Sequence, residues 1–125
     1  SFTLYGAYLM DCININLEAH RCPDMQIKLR LKLKSWVEMS TYQGTHALVR
    51  SIDPMFLSNL KAYLNSESSM SRVEIVKTES KKLTNLDIQE IINGSLDEFD
   101  KDDFTGASHY YAVLLKINFE DYSNE

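Results

Sequence analysis

Cys12, His20, Cys22 and His46 are residue types that ligate zinc, but their spacing matches no usual ligand arrangement. Cys12 also falls in an apolar strand pattern, where a buried free thiol is the ordinary occupant. Asp53, Glu74 and Lys77 supply the residue types of a metal-dependent nuclease centre. That chemistry needs Glu-x-Lys on one strand face. This chain has Glu74-Ile75-Val76-Lys77, which on a regular strand sends the two charged side chains to opposite faces. His20, His46 and His109 have no serine or cysteine signature beside them, and no glycine-rich phosphate loop or acid–base pair is present. The sequence therefore nominates no catalytic, cofactor-binding or metal-ligating residue, and no cofactor is expected.

Charge carries more information. Asp97, Glu98, Asp100, Asp102 and Asp103 form an acidic cluster that resembles a calcium loop only in composition. Such a loop needs glycine at its sixth position and glutamate at its twelfth. Counting from Asp97 gives Asp102 and Ser108, and counting from Asp100 gives Thr105 and Tyr111, so both frames fail. An anionic face for a basic protein partner is the sharper reading. The opposite sign is concentrated in residues 26–34, where Lys28, Arg30, Lys32 and Lys34 alternate with Ile27, Leu29, Leu31 and Leu33. Strict alternation predicts a strand with one apolar and one cationic face. Cations every second residue step by about 6.6 Å, close to phosphate spacing. Trp36 and Tyr42 share their parity and would add stacking surfaces. This row is the alternative, anion-binding site, open to nucleic acid, an acidic protein or an anionic ligand. As a plain solvated face, its lysines would guard a sheet edge against pairing.

The elements that must position these residues belong to a chain of 125 residues, long enough for one domain that buries about two thirds of its unfolded surface. The net charge of −5 divides unevenly. Residues 1–50 hold six Lys/Arg against four Asp/Glu, a balance of +2, and residues 51–125 hold seven against fourteen, a balance of −7. No apolar run approaches a membrane span, and the start Ser1-Phe2-Thr3 lacks the basic character of a secretory signal. With two cysteines too few for a disulfide framework, a cytoplasmic, reducing location is expected and no membrane partner. Asn93-Gly94-Ser95 matches a glycosylation sequon, which means little without secretion.

Residues 2–17 alternate with a change of parity, predicting one bent strand or two short ones, and 18–24 a loop. The alternation of 26–34 continues to Thr41, and Gln43-Gly44 predicts a hairpin into a strand at 45–50. Asp53-Pro54 predicts a helix start, with Ile52 stapled onto Leu57 and Phe56, Leu60, Tyr63 and Leu64 buried. A strand is expected over 72–78. Thr84 to Asp87 reads as a capping box before Ile88, Ile91 and Ile92, with Asn93-Gly94 as a left-handed stop. Ser95 to Glu98 reads as a second capping box. Residues 109–119 are apolar on both faces, which predicts a central strand.

The expected fold is a single α+β domain over 1–125, a curved, mainly antiparallel sheet of five to six strands with two to three short helices packed on one face. The expected function is non-enzymatic protein binding of the immunity, inhibitor or adaptor type, through the acidic face. An exposed strand edge would also offer a surface for a homodimer.

Overall fold

The structure is a computed structural model that describes residues 12–39 and 45–118. Four strands and three α-helices alternate among the described residues: β1 (Cys12–Asn16), α1 (Asp24–Glu38), β2 (His46–Ser51), α2 (Phe56–Ser66), β3 (Val73–Lys82), α3 (Asn85–Gly94) and β4 (His109–Ile117). Short 3-10 turns occupy Ser68–Met70 and Lys101–Phe104. The chain is of the expected α+β kind, with four described strands where five to six were expected.

Residues 26–34 are helical, and the expected cationic strand is corrected to the middle of α1. The physical reason is visible in the residues themselves. Leu, Lys, Arg, Gln and Met are all good helix formers, and Ile27 is the one β-branched residue in the stretch. A second pattern underlies the alternation. Met25, Leu29, Leu33 and Trp36 recur at helical spacing and are completely buried, whereas Ile27 and Leu31 are 56% and 64% exposed. Tertiary packing selects the period that buries tryptophan and methionine.

The sheet order is β1-β2-β4-β3. β1 and β2 pair in parallel, with α1 as the crossover, while β4 runs antiparallel to both β2 and β3. The expected hairpin into residues 45–50 is therefore replaced by a helix-to-strand connection, and its turn residues Gln43-Gly44 lie outside the described residues, as does the 2–11 part of the strand pattern expected over 2–17. β4 is central, as its two apolar faces predict. Val113, Leu115 and Ile117 pack with α1 and α2, and Tyr110, Ala112 and Leu114 pack with Ile91, Phe99 and Phe104. Helices thus cover both sheet faces, correcting the one-faced arrangement. Ile52 and Leu57 fall in different clusters on opposite sides of the sheet, so the expected staple does not form.

α3 starts on the expected capping box. Thr84 Oγ1 accepts from the Asp87 N–H at 3.1 Å, and Asp87 Oδ2 accepts from the Thr84 N–H at 3.0 Å. Its end differs from expectation. The left-handed residues are Leu96 (φ 54°) and Asp97 (φ 69°) rather than Gly94. Ser95 donates to the Ile92 carbonyl and accepts from the Phe99 N–H, fastening a turn where a second capping box was expected.

Candidate functional site

The four cations of residues 26–34 are redistributed by the helix. At about 100° per residue, Arg30 and Lys34 fall one turn apart on one flank of α1, and Lys28 and Lys32 fall on the other. Between the flanks, roughly opposite the buried stripe, stand Ile27 and Leu31. No described carboxylate lies within salt-bridge distance of any of the four cations. The Arg30 guanidinium sits 5.3 Å from the centre of the Tyr63 ring of α2, which fixes it beside Leu31 without neutralising it. Trp36 is fully buried, so it belongs to the core and not to an anion-binding surface. Tyr42 lies outside the described residues.

The acidic cluster is separated by its hydrogen bonds into structural and available groups. Asp100 Oδ1 accepts from the Asp102 N–H at 2.9 Å, and Asp103 Oδ2 accepts from the Asp100 N–H at 2.9 Å, so Asp100 and Asp103 cap the 3-10 turn. Glu98 pairs with His20 at 3.3 Å, and the His20 ring lies edge-on to Phe99. Asp97 and Asp102 keep side-chain carboxylates turned to solvent. Leu96, which precedes Asp97 in the chain, is 91% exposed, the most exposed of the large hydrophobic residues described.

The remaining candidates do not converge. Cys12 and His46 are register partners on β1 and β2, His20 and Cys22 lie in the loop between β1 and α1, and no group of three metal-ligating side chains exists among the described residues. An irregularity at Val76 puts Glu74 opposite Lys116 and Lys77 opposite Leu114, returning both to one sheet face, contrary to the regular-strand expectation. Asp53 nevertheless sits elsewhere. It follows Ser51, which pairs with Tyr111, five residues or about 16 Å along β4 from Lys116. It is also buried, with its Oδ2 accepting from the Cys22 N–H and its Oδ1 from the Met55 N–H, both at 2.8 Å.

A shallow pocket of about 360 Å³ lies where the loop after β1 meets the acidic loop, with His20, Cys22, Pro23, Glu98 and Phe99 in its wall. Arg21 ties the two loops together by donating to the Thr105 carbonyl at 3.1 Å. Partial burial and the nearby Asp53 carboxylate push the Cys22 thiol up, so it stays protonated at neutral pH and is a poor nucleophile. Partial burial and then Glu98 raise the Glu18 carboxyl, against the pull of His20, Lys32 and Arg50. The Arg21 hydrogen bond and the His20–Glu98 pair interlock the two loops.

The sequence reading missed Ile27 and Leu31 as surface residues. The signal that finds them is the spacing of Met25, Leu29, Leu33 and Trp36, which leaves them on the opposite side of a helix. No known protein family, curated protein or solved structure matches this chain.

Proposed function

We propose that this is a non-catalytic protein-binding domain of the inhibitor, immunity or adaptor type, and that its principal contact face is the outer side of α1. The observation that carries the reading is the exposure of Ile27 and Leu31, 56% and 64%, at the centre of four cations. An apolar centre with a charged rim is the anatomy of a protein interface. Nucleic-acid binding, the alternative for these cations, is weakened because the middle of the face offers aliphatic carbon rather than donors for phosphates or base edges. Two aliphatic side chains are also too narrow a stripe to seat a helix in a lipid interface. The partner is therefore acidic protein.

The acidic loop remains the second proposed contact, for a basic partner. What favours it is Leu96, 91% exposed beside Asp97 in the same loop as Asp102. It is a narrower surface than the sequence suggests, because Asp100 and Asp103 serve the 3-10 turn.

Site-specific photo-cross-linking in the native host tests the proposal. A cross-linking side chain replaces Leu31, Leu96 or, as an exposed apolar control on α3, Leu86, which is 68% exposed. The expected result is a discrete polypeptide adduct from position 31, at several times the yield from position 86. Equal, diffuse labelling from positions 31 and 86 overturns the assignment of α1 as the contact face.

A further inference from the structure

The outer face of α1 and the loop at 96–102 are complementary to each other. One presents Ile27 and Leu31 between Arg30 and Lys34 on one flank and two lysines on the other. The other presents Leu96 next to Asp97, with Asp102 exposed further along the same loop. Within one molecule the two do not meet. Leu96, Ile27 and Leu31 all remain exposed, and neither Asp97 nor Asp102 forms an ion pair among the described residues.

We infer that the outer face of α1 receives the 96–102 loop of a second copy of this chain, so that copies associate head to tail. The inference rests on the reading of α1 as a docking face and names its occupant. Ile27 and Leu31 stand one helical turn apart, so their side chains bound a shallow step of about 6 Å that one leucine side chain can fill. With Leu96 seated there, Asp97 and Asp102 come against the cationic flanks, where opposite charge steers approach and fixes orientation. The alternating signs also reject the wrong pairings, since α1 against α1 and loop against loop both juxtapose like charges.

The two surfaces are different parts of the molecule, so the contact is heterologous rather than two-fold. Each bound copy leaves one unused surface at either end, and association continues into a ring or an open chain. The contact is small by the standard of stable interfaces, so dissociation constants on the order of 10 μM to 1 mM are expected, with strong salt sensitivity.

Sedimentation velocity on the purified chain, from about 10 μM to 1 mM, tests it directly. The weight-average mass should rise with concentration at low salt and fall toward monomer at high salt. Arg30→Glu with Lys34→Glu, and separately Asp97→Lys with Asp102→Lys, should each remain monomeric. Mixed in equal amounts, these two variants should associate again, because each surface of one meets a surface of opposite charge on the other. All four reversals in one chain should restore association. Leu96→Ser, at a position with almost no packing to lose, gives the same readout without charge reversal and should weaken association about tenfold or more.

A wild-type chain that stays monomeric throughout at low salt overturns the inference. So does association that neither pair of reversals alters. A monomeric chain whose Leu31 cross-linker still captures a different protein rejects the second copy while leaving the α1 face standing. A monomeric chain with no such adduct rejects both.

Discussion

The buried carboxylate of Asp53 accepts a hydrogen bond from the backbone N–H of Cys22 at 2.8 Å, tying the loop after β1 to the loop after β2. Its other oxygen accepts from the Met55 N–H, and its own N–H donates to Ser51 Oγ at 3.0 Å. One side chain thus satisfies amides from both loops that follow the parallel strands, including the approach to α1. Asp53→Ala should cost about 1 to 3 kcal/mol, measured by urea denaturation, because it leaves two partly buried amides without partners. Asp53→Asn retains one acceptor and should cost less. A loss below about 0.5 kcal/mol for the alanine variant would show that the loops do not depend on this carboxylate.

The helical register of α1 makes opposite predictions for two residues that an alternating strand would treat alike. Leu29 is fully buried and Ile27 is 56% exposed. Leu29→Ala should destabilise by about 2 to 5 kcal/mol, whereas Ile27→Ala should fall within about 0.5 kcal/mol of the parent. Thermal or urea unfolding of the pair decides the register without a new structure. Equal losses would return residues 26–34 to a strand.

Asp87 couples β3 to the start of α3 and gives stability a pH dependence. Burial raises its carboxyl, but hydrogen bonds from Lys81 Nζ at 2.6 Å and from Thr84 outweigh burial and hold it below its ordinary value of 3.8. A carboxyl depressed in the folded state stabilises it above the unfolded value, and that contribution is lost as pH falls through the folded value. Asp87→Ala should therefore cost about 1 kcal/mol at pH 7 and progressively less below about pH 4. Urea midpoints at neutral and acid pH should converge for parent and variant. A gap that is constant with pH would refute the linkage.

Two glycines should respond with opposite signs. Gly106 has φ 81°, a backbone that disfavours any side chain, although a Cβ there would meet no atom within 4 Å. Gly106→Ala should destabilise by about 1 kcal/mol through backbone strain. Gly94 ends α3 without a positive φ and has the same open space. Gly94→Ala should be neutral or stabilise by up to about 1 kcal/mol, since alanine restricts the unfolded chain. Calorimetric melting temperatures of the two variants should move in opposite directions.

Local signals in the sequence were sufficient where the physics is local. The Thr84 and Asp87 box needs only four consecutive residues, and it forms as read. The two apolar parities of β4 can be satisfied only by cover on both faces, and the structure supplies it. The buried stripe Phe56, Leu60 and Tyr63 likewise follows from one helical period. The acidic cluster was legible as composition, but not the capping that engages two of its five carboxylates, those of Asp100 and Asp103, in hydrogen bonds to backbone amides.

The α+β character, the central place of β4, two helix segments, the capping box of α3 and the uneven distribution of charge could all be read from the residues alone. Each depends on neighbours within a turn or a strand, or on simple counting. Residues 26–34 are settled by packing at a distance, because their apolar residues satisfy a period of two and, with Met25 and Trp36 added, a helical period as well. The choice falls to the sheet face beneath, where Ile15, Ala47, Val113 and Leu115 form a surface that α1 covers with Met25, Leu29, Leu33 and Trp36. That packing turns Ile27 and Leu31 outward among the cations. A residue's face on a helix is fixed by what the opposite face buries, and the partner buried here comes from strands up to about ninety residues away in the chain.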